Sequence, residues 1–132
     1  MLAFVDEELV KKLLFDREFQ SAIVNAPPDY LDRIGIPVMD DLSLKSSLDF
    51  IQVFVTGKLE FLLQLPKIIR ALRPGGFLWI CYANENSKKP TDMNRYILWA
   101  EMAKVGMLAV AMLSLDDNWS AMRFQPVRKP GK

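Results

Sequence analysis

A layered α/β fold built on a mostly parallel sheet is predicted by three adjoining stretches of the chain. Leu48-Asp49-Phe50-Ile51-Gln52-Val53-Phe54-Val55 is almost continuously apolar and rich in β-branched and aromatic side chains, the pattern of a central strand covered on both faces. Leu72-Arg73-Pro74-Gly75-Gly76 reads as a helix end and a tight turn, leading into a second buried strand, Phe77-Leu78-Trp79-Ile80-Cys81-Tyr82. Lys58 to Leu72 between them reads as a helix, and strand, helix, strand in that order implies a right-handed crossover between parallel strands. A length of 132 residues suits one domain spanning residues 1–132.

The remaining elements follow in chain order. Asp6 through Phe15 places Leu9, Leu13 and Leu14 among charges, which predicts a short amphipathic helix that docks on the sheet or joins another chain. Phe19 to Asn25 is the candidate first strand, stopped by Ala26-Pro27-Pro28 because proline lacks the ladder donor. Asp29 to Gly35 predicts a short helix with Asp29 as its cap, Tyr30, Leu31 and Ile34 as its covered face and Gly35 as its end. Ile36-Pro37-Val38-Met39 is a short strand at most, and Asp40 and Asp41 read as turn or capping residues rather than a metal pair.

In the helix from Lys58 the expected packing residues are Leu59, Leu62, Leu63, Ile69 and Leu72, with Pro66 kinking or dividing it. Asn84 to Pro90 is a polar loop, and Thr91-Asp92-Met93-Asn94 opens a further helix, with Thr91 as cap and Met93, Ile97, Ala100 and Lys104 along its packed side. Met107 to Leu113 and Ser120 to Val127 pair as terminal strands across the turn Asp116-Asp117-Asn118, which makes the last strand antiparallel. The short basic tail from Arg128 to Lys132 reads as solvated.

Composition excludes several kinds of chemistry. With no histidine and a single cysteine, Cys81, imidazole and thiolate zinc sites, Ser-His-Asp triads and Cys-His pairs are ruled out within one chain. Cys81 lies in an apolar strand and reads as a buried small side chain. A net charge of +1 gives no basic stripe, so no nucleic-acid partner is expected. Met1 to Glu8 turns acidic before any adequate apolar run, and no stretch approaches the roughly 18–20 apolar residues that span a bilayer. No membrane association and a cytoplasmic location are the expectations.

Leu72 to Ile80, with a buried strand before it and a hairpin after it, resembles the later half of a class I S-adenosylmethionine-dependent methyltransferase domain. Ala26-Pro27-Pro28-Asp29-Tyr30, Leu72-Arg73-Pro74-Gly75-Gly76, Pro90-Thr91-Asp92 and Trp119-Ser120-Ala121-Met122-Arg123-Phe124 together resemble a small bacterial family of uncharacterised function with a reduced methyltransferase-like fold. The resemblance implies a compact three-layer Rossmann-like domain. It does not carry over a reaction, because Leu-Arg-Pro-Gly-Gly is architectural. A cofactor-binding member of the fold presents a glycine-rich turn after its first strand and an acidic residue after its second. Asn25-Ala26-Pro27-Pro28 supplies no such glycine, and Asp40 and Asp41 follow only a short strand, so no cofactor is expected.

In a parallel α/β sheet ligands meet the loops beyond the strand carboxyl ends. Those loops give the candidate ligand-binding set Pro27, Pro28, Thr56, Gly57, Lys88, Lys89, Asp92, Asp116 and Trp119. Lys88 and Lys89 would neutralise a phosphate or carboxylate near the amide donors of the helix after Thr91, or simply keep the loop solvated. Asp92 would orient those lysines or cap the helix, and Trp119 would stack on a planar ligand or pack inward. The favoured reading is a noncatalytic domain binding a protein or a small anionic ligand. The alternatives are a divergent enzyme using Asp92, Asp116 or Lys88 for acid and base chemistry, and a homo-oligomeric structural module, a homodimer for example, joined through the amino-terminal helix or an open sheet edge.

Overall fold

The computed structural model describes residues 5–42, 47–84 and 91–127. Along the chain these form α1 (Glu7–Lys12), β1 (Ser21–Val24), α2 (Tyr30–Ile34), β2 (Leu48–Val55), α3 (Lys58–Ala71), β3 (Leu72–Ala83), α4 (Arg95–Lys104), β4 (Met107–Ser114) and β5 (Trp119–Pro126). The strands make a five-stranded sheet in the order β1-β2-β3-β5-β4. β1, β2 and β3 are parallel, while β5 runs antiparallel to both β3 and β4, so β5 alone is reversed. The predicted α/β class, with its terminal antiparallel hairpin, is the observed architecture.

Alternation along β2 builds the two faces of the core. Ile51, Val53 and Val55 pack with Phe61, Leu65 and Ile68 of α3 and with Leu98 and Met102 of α4. Phe50 and Phe54 point the other way, toward Leu9 and Val10 of α1 and Tyr30 and Ile34 of α2. Burying each such side chain contributes about 1.5–3 kcal/mol. On the second face Phe15 stacks on Phe50 with centroids 4.0 Å apart, and the Trp79 indole N–H donates to the Leu13 carbonyl at 2.9 Å, which fixes the end of α1 against the sheet. Leu14, expected in that contact, is exposed and left-handed at φ 61°, because the chain turns there to bring Phe15 inward.

The helices face differently from the sequence expectation. α3 runs unbroken through Pro66 and buries Phe61, Leu65, Ile68 and Ala71, while Leu59, Leu62, Leu63 and Ile69 are exposed. Leucines surround this helix, so apolar spacing alone did not single out the face that docks. Pro66 itself is exposed, which leaves the carbonyl four residues back to water. α4 begins at Arg95 under an Asn94 cap rather than at Thr91, and Leu98 and Met102, not Ala100 and Lys104, are its buried residues. In α2, Asp29 makes no side-chain cap and Leu31 is exposed, whereas Gly35 ends the helix left-handed as expected.

Two local departures bear on the sheet. The Ile36–Met39 segment contributes a single parallel bridge from Met39 to Ala22, with the Ile23 N–H donating to the Met39 carbonyl at 2.9 Å and the Met39 N–H to the Ser21 carbonyl at 3.0 Å. Pro74-Gly75-Gly76 is not a turn ahead of the strand but a bulge inside β3, since Leu48 pairs with Leu72 and Phe50 with Phe77. Arg73, within the bulge, forms an ion pair with Asp49, whose other oxygen accepts the Gln20 N–H at 2.8 Å. No described helix is long and apolar enough to cross a membrane.

Candidate functional site

Because β1, β2 and β3 are parallel, their carboxyl ends at Val24, Val55 and Ala83 share one edge of the sheet. The hairpin between β4 and β5 reaches the same edge, as Ala83 pairs with Trp119 and the Asn84 N–H donates to the Asn118 carbonyl at 2.9 Å. Of the candidate residues, Thr56, Gly57 and Asp92 are brought together there. The Thr91 hydroxyl donates to the Thr56 carbonyl at 2.8 Å, and Asp92 Oδ1 accepts the Lys58 N–H at 2.7 Å. A Cβ on Gly57 would stand 3.2 Å from Asp92 Oδ1, a close approach that the Asp92 side chain would have to accommodate.

Asp92 thus caps α3, a helix far away in sequence, instead of α4. Its carboxylate fills the amino end of α3, so an external anion would meet a negative charge at that point. Glu60 completes the network, accepting from the Thr56 hydroxyl at 2.7 Å and from Asn25 Nδ2 at 3.3 Å. It thereby joins the ends of β1 and β2. Asn25, Glu60 and Thr91 were not among the sequence candidates, and the long-range pairing that selects them has no local signature.

The turn after β1 contains Pro27 and Pro28 between two left-handed residues, Asn25 at φ 60° and Asp29 at φ 68°. Asparagine and aspartate are the side chains that best tolerate this conformation after glycine. The turn therefore takes a left-handed backbone at two positions while holding no glycine. Asp40 and Asp41 come directly after Met39, the residue bridged to the outer side of β1.

Asp116 and Trp119 are held by structural contacts. Asp116 Oδ1 accepts the Asn118 and Trp119 amides at 2.8 and 2.9 Å, and its other oxygen lies 3.9 Å from Arg33, which also pairs with Asp6 at 3.2 Å. Trp119 is half-buried with its ring edge on Phe54 at 5.1 Å, so it is a packing residue of the α1 and α2 face rather than an exposed platform. Lys88 and Lys89 lie outside the described residues.

An open cavity of about 590 Å³ lies on the other side of this edge, between the end of β3 and the start of α4. Tyr82, Asn84, Asn94 and Ser120 give it hydroxyl and amide groups, and Arg95 lies over the Tyr96 ring at 4.9 Å at its rim. Burial pushes the Tyr82 phenol up, against the opposing effects of Arg95 and of a hydrogen bond with Ser120. Deeper in the sheet, Gln52 Nε2 donates to the Tyr30 hydroxyl at 2.7 Å and to Cys81 Sγ at 3.3 Å. Burial pushes the Cys81 thiol up to about 12, which makes it inert as a nucleophile at neutral pH. Among the described residues no group of three or more acidic or cysteine side chains is arranged to hold a metal ion.

The same fold occurs in solved structures. A putative type 11 methyltransferase from Sulfolobus solfataricus superposes with a TM-score of 0.60 over 100% of this chain and 97% of its own, at 8% identity. This chain has a methyltransferase-like fold. A ribosomal protein L11 methylase from Lactobacillus delbrueckii subsp. bulgaricus gives 0.59 over 93% of this chain and 77% of its own at 7% identity. A TehB-like SAM-dependent methyltransferase from Corynebacterium glutamicum gives 0.54 over 92% and 88% at 12% identity. These likenesses concern the fold and relate it to the class I S-adenosylmethionine-dependent methyltransferases. No family model and no curated protein matches the sequence.

Proposed function

We propose that the chain is a divergent enzyme of methyltransferase-like fold that binds an S-adenosylmethionine-type ligand across the turn after β1. The observation that carries this reading is the pair of left-handed residues, Asn25 and Asp29, flanking that turn. They would supply the backbone bend that glycine serves in cofactor-binding members of the fold. In this reading Asp40 and Asp41, which follow the bridge at Met39, would accept ribose hydroxyl hydrogens. Pro27 and Pro28 remove two amide donors, so the ligand would be held more by shape and by these carboxylates than by the turn's own backbone.

Such a cofactor supplies a methyl group activated on a sulfonium. The protein's contribution is alignment, which needs no covalent nucleophile. That is compatible with an inert Cys81 and a chain without histidine. Asn84, Asn94 and Ser120, around the cavity at the end of β3, would orient a polar acceptor beside the same edge.

Titration calorimetry with S-adenosylhomocysteine tests the reading. The expected dissociation constant is below about 100 μM, weakened about tenfold or more when Asp40→Asn and Asp41→Asn are combined. Absence of binding at about 1 mM, a limit near 4 kcal/mol, would overturn it. The proline pair favours a second reading, a noncatalytic domain binding a protein or another small ligand, and that negative result would select it.

A further inference from the structure

We propose that β4 is a self-association edge, at which two copies pair β4 to β4 antiparallel about a twofold axis near Val110 and Ala111 and continue the sheet across a homodimer. This does not rest on the ligand reading. β4 is the outermost strand of the sheet on its side and consists of Met107-Leu108-Ala109-Val110-Ala111-Met112-Leu113-Ser114. It has no charge and no proline, the residues that ordinarily keep an open edge from pairing. Its one irregularity is a register shift between Ala109 and Ala111. Across that shift the strand changes sides, with Met107 and Ala109 on the α4 face and Ala111 and Leu113 on the α1 and α2 face.

The shift brings Met112 to the α4 side. There it is 55% exposed, next to Tyr96 at 63% and Trp99 at 51%, around a mostly apolar groove of about 450 Å³. A twofold axis perpendicular to the sheet places both α4 helices on the same face of the dimer. Each copy's Trp99 and Met112 then cover the other's, which removes several large apolar side chains from water together with the open ladder.

Charge favours a second copy in this orientation, with Lys104, which pairs with Glu101 of its own helix at 2.9 Å, turned toward an acidic turn of the partner. Lys104 lies three residues before the start of β4 and Asp117 three residues beyond its end. The register that pairs Met107 with the partner's Ser114 brings the Lys104 end against the partner's Asp117. Parallel pairing would instead set like charges side by side.

Sedimentation velocity across about 1–100 μM protein should show a reversible dimer, the range in which an association of micromolar strength is visible. Val110→Lys should weaken it about tenfold or more, with the circular dichroism spectrum retained. Should Val110→Lys unfold the protein, Trp99→Glu on the exposed side of α4 gives the same reading. Lys104→Glu should weaken the dimer about threefold, and adding Asp117→Lys should restore it. A monomer throughout that range, or a dimer indifferent to both Val110→Lys and Trp99→Glu, would overturn the proposal. Failure of the double charge reversal to restore association would overturn the antiparallel register.

Discussion

Gly76 shows how one position carries the junction between α3 and β3. A Cβ there would lie 2.9 Å from Leu72 Cδ1, 3.0 Å from the Leu48 carbonyl oxygen and 3.1 Å from the Arg73 carbonyl oxygen. Two of these neighbours are backbone and have no rotamer to escape into. Gly76→Ala therefore has to displace β2 or distort the bulge, at a cost of about 1–3 kcal/mol. The check is the urea midpoint of Gly76→Ala against the unaltered protein. An unchanged midpoint would mean that the bulge yields freely and that the Asp49–Arg73 pair, not the close approach, holds it in place. The sequence marks Pro74-Gly75-Gly76 as a place where the chain bends, but whether it becomes a turn or a bulge depends on Leu48 pairing with Leu72, which local residue types do not encode.

At the scale of elements, Asp92 decides how the edge is organised. Its hydrogen bond to the Lys58 amide caps a helix 34 residues away in sequence. Asp92→Ala should cost about 1 kcal/mol through loss of that cap, and Asp92→Asn, which keeps an acceptor oxygen, should recover most of it. Thermal midpoints of the two variants give the comparison. Equal losses would mean that the carboxylate's charge, rather than its acceptor, matters at the amino end of α3. β2 was legible because an apolar run covered on both faces has no competing reading. The faces of α3 and α4 were not, since leucine and aromatic residues surround both helices and only the docked partner distinguishes them. The candidate site divides in the same way. Topology alone grouped Thr56, Gly57 and Asp92, whereas the left-handed bends at Asn25 and Asp29 have only a weak local signal, since asparagine and aspartate tolerate that conformation without requiring it.

For the whole molecule, the ionisable groups that tie layers together set the limits of stability. The Asp6 carboxyl is held below its ordinary 3.8 by the Leu9 N–H and then by Arg33, and that of Asp49 by the Gln20 N–H and then by Arg73. The first pair joins α1 to α2, and the second ties the approach to β1 to the bulge of β3. Each contribution is complete above 3.8 and is lost as the pH falls through the lower folded value. At the alkaline end burial raises the Cys81 thiol from 9.0 to about 12 and drives the Tyr30 phenol above its ordinary 10.0. The native state then keeps protons that the unfolded chain releases, so stability is complete below about pH 9 and declines as the pH rises from there toward 12. The thermal midpoint should accordingly be flat from about pH 5 to 8.5 and fall on both sides. Tyr30→Phe separates the alkaline contributions. It removes the partner of Gln52 and lowers the plateau by about 1 kcal/mol, yet it deletes one of the groups whose ionisation opposes the fold, so the decline above pH 10 becomes shallower. A decline of unchanged slope in Tyr30→Phe would assign the alkaline limit to Cys81 and Tyr82 instead.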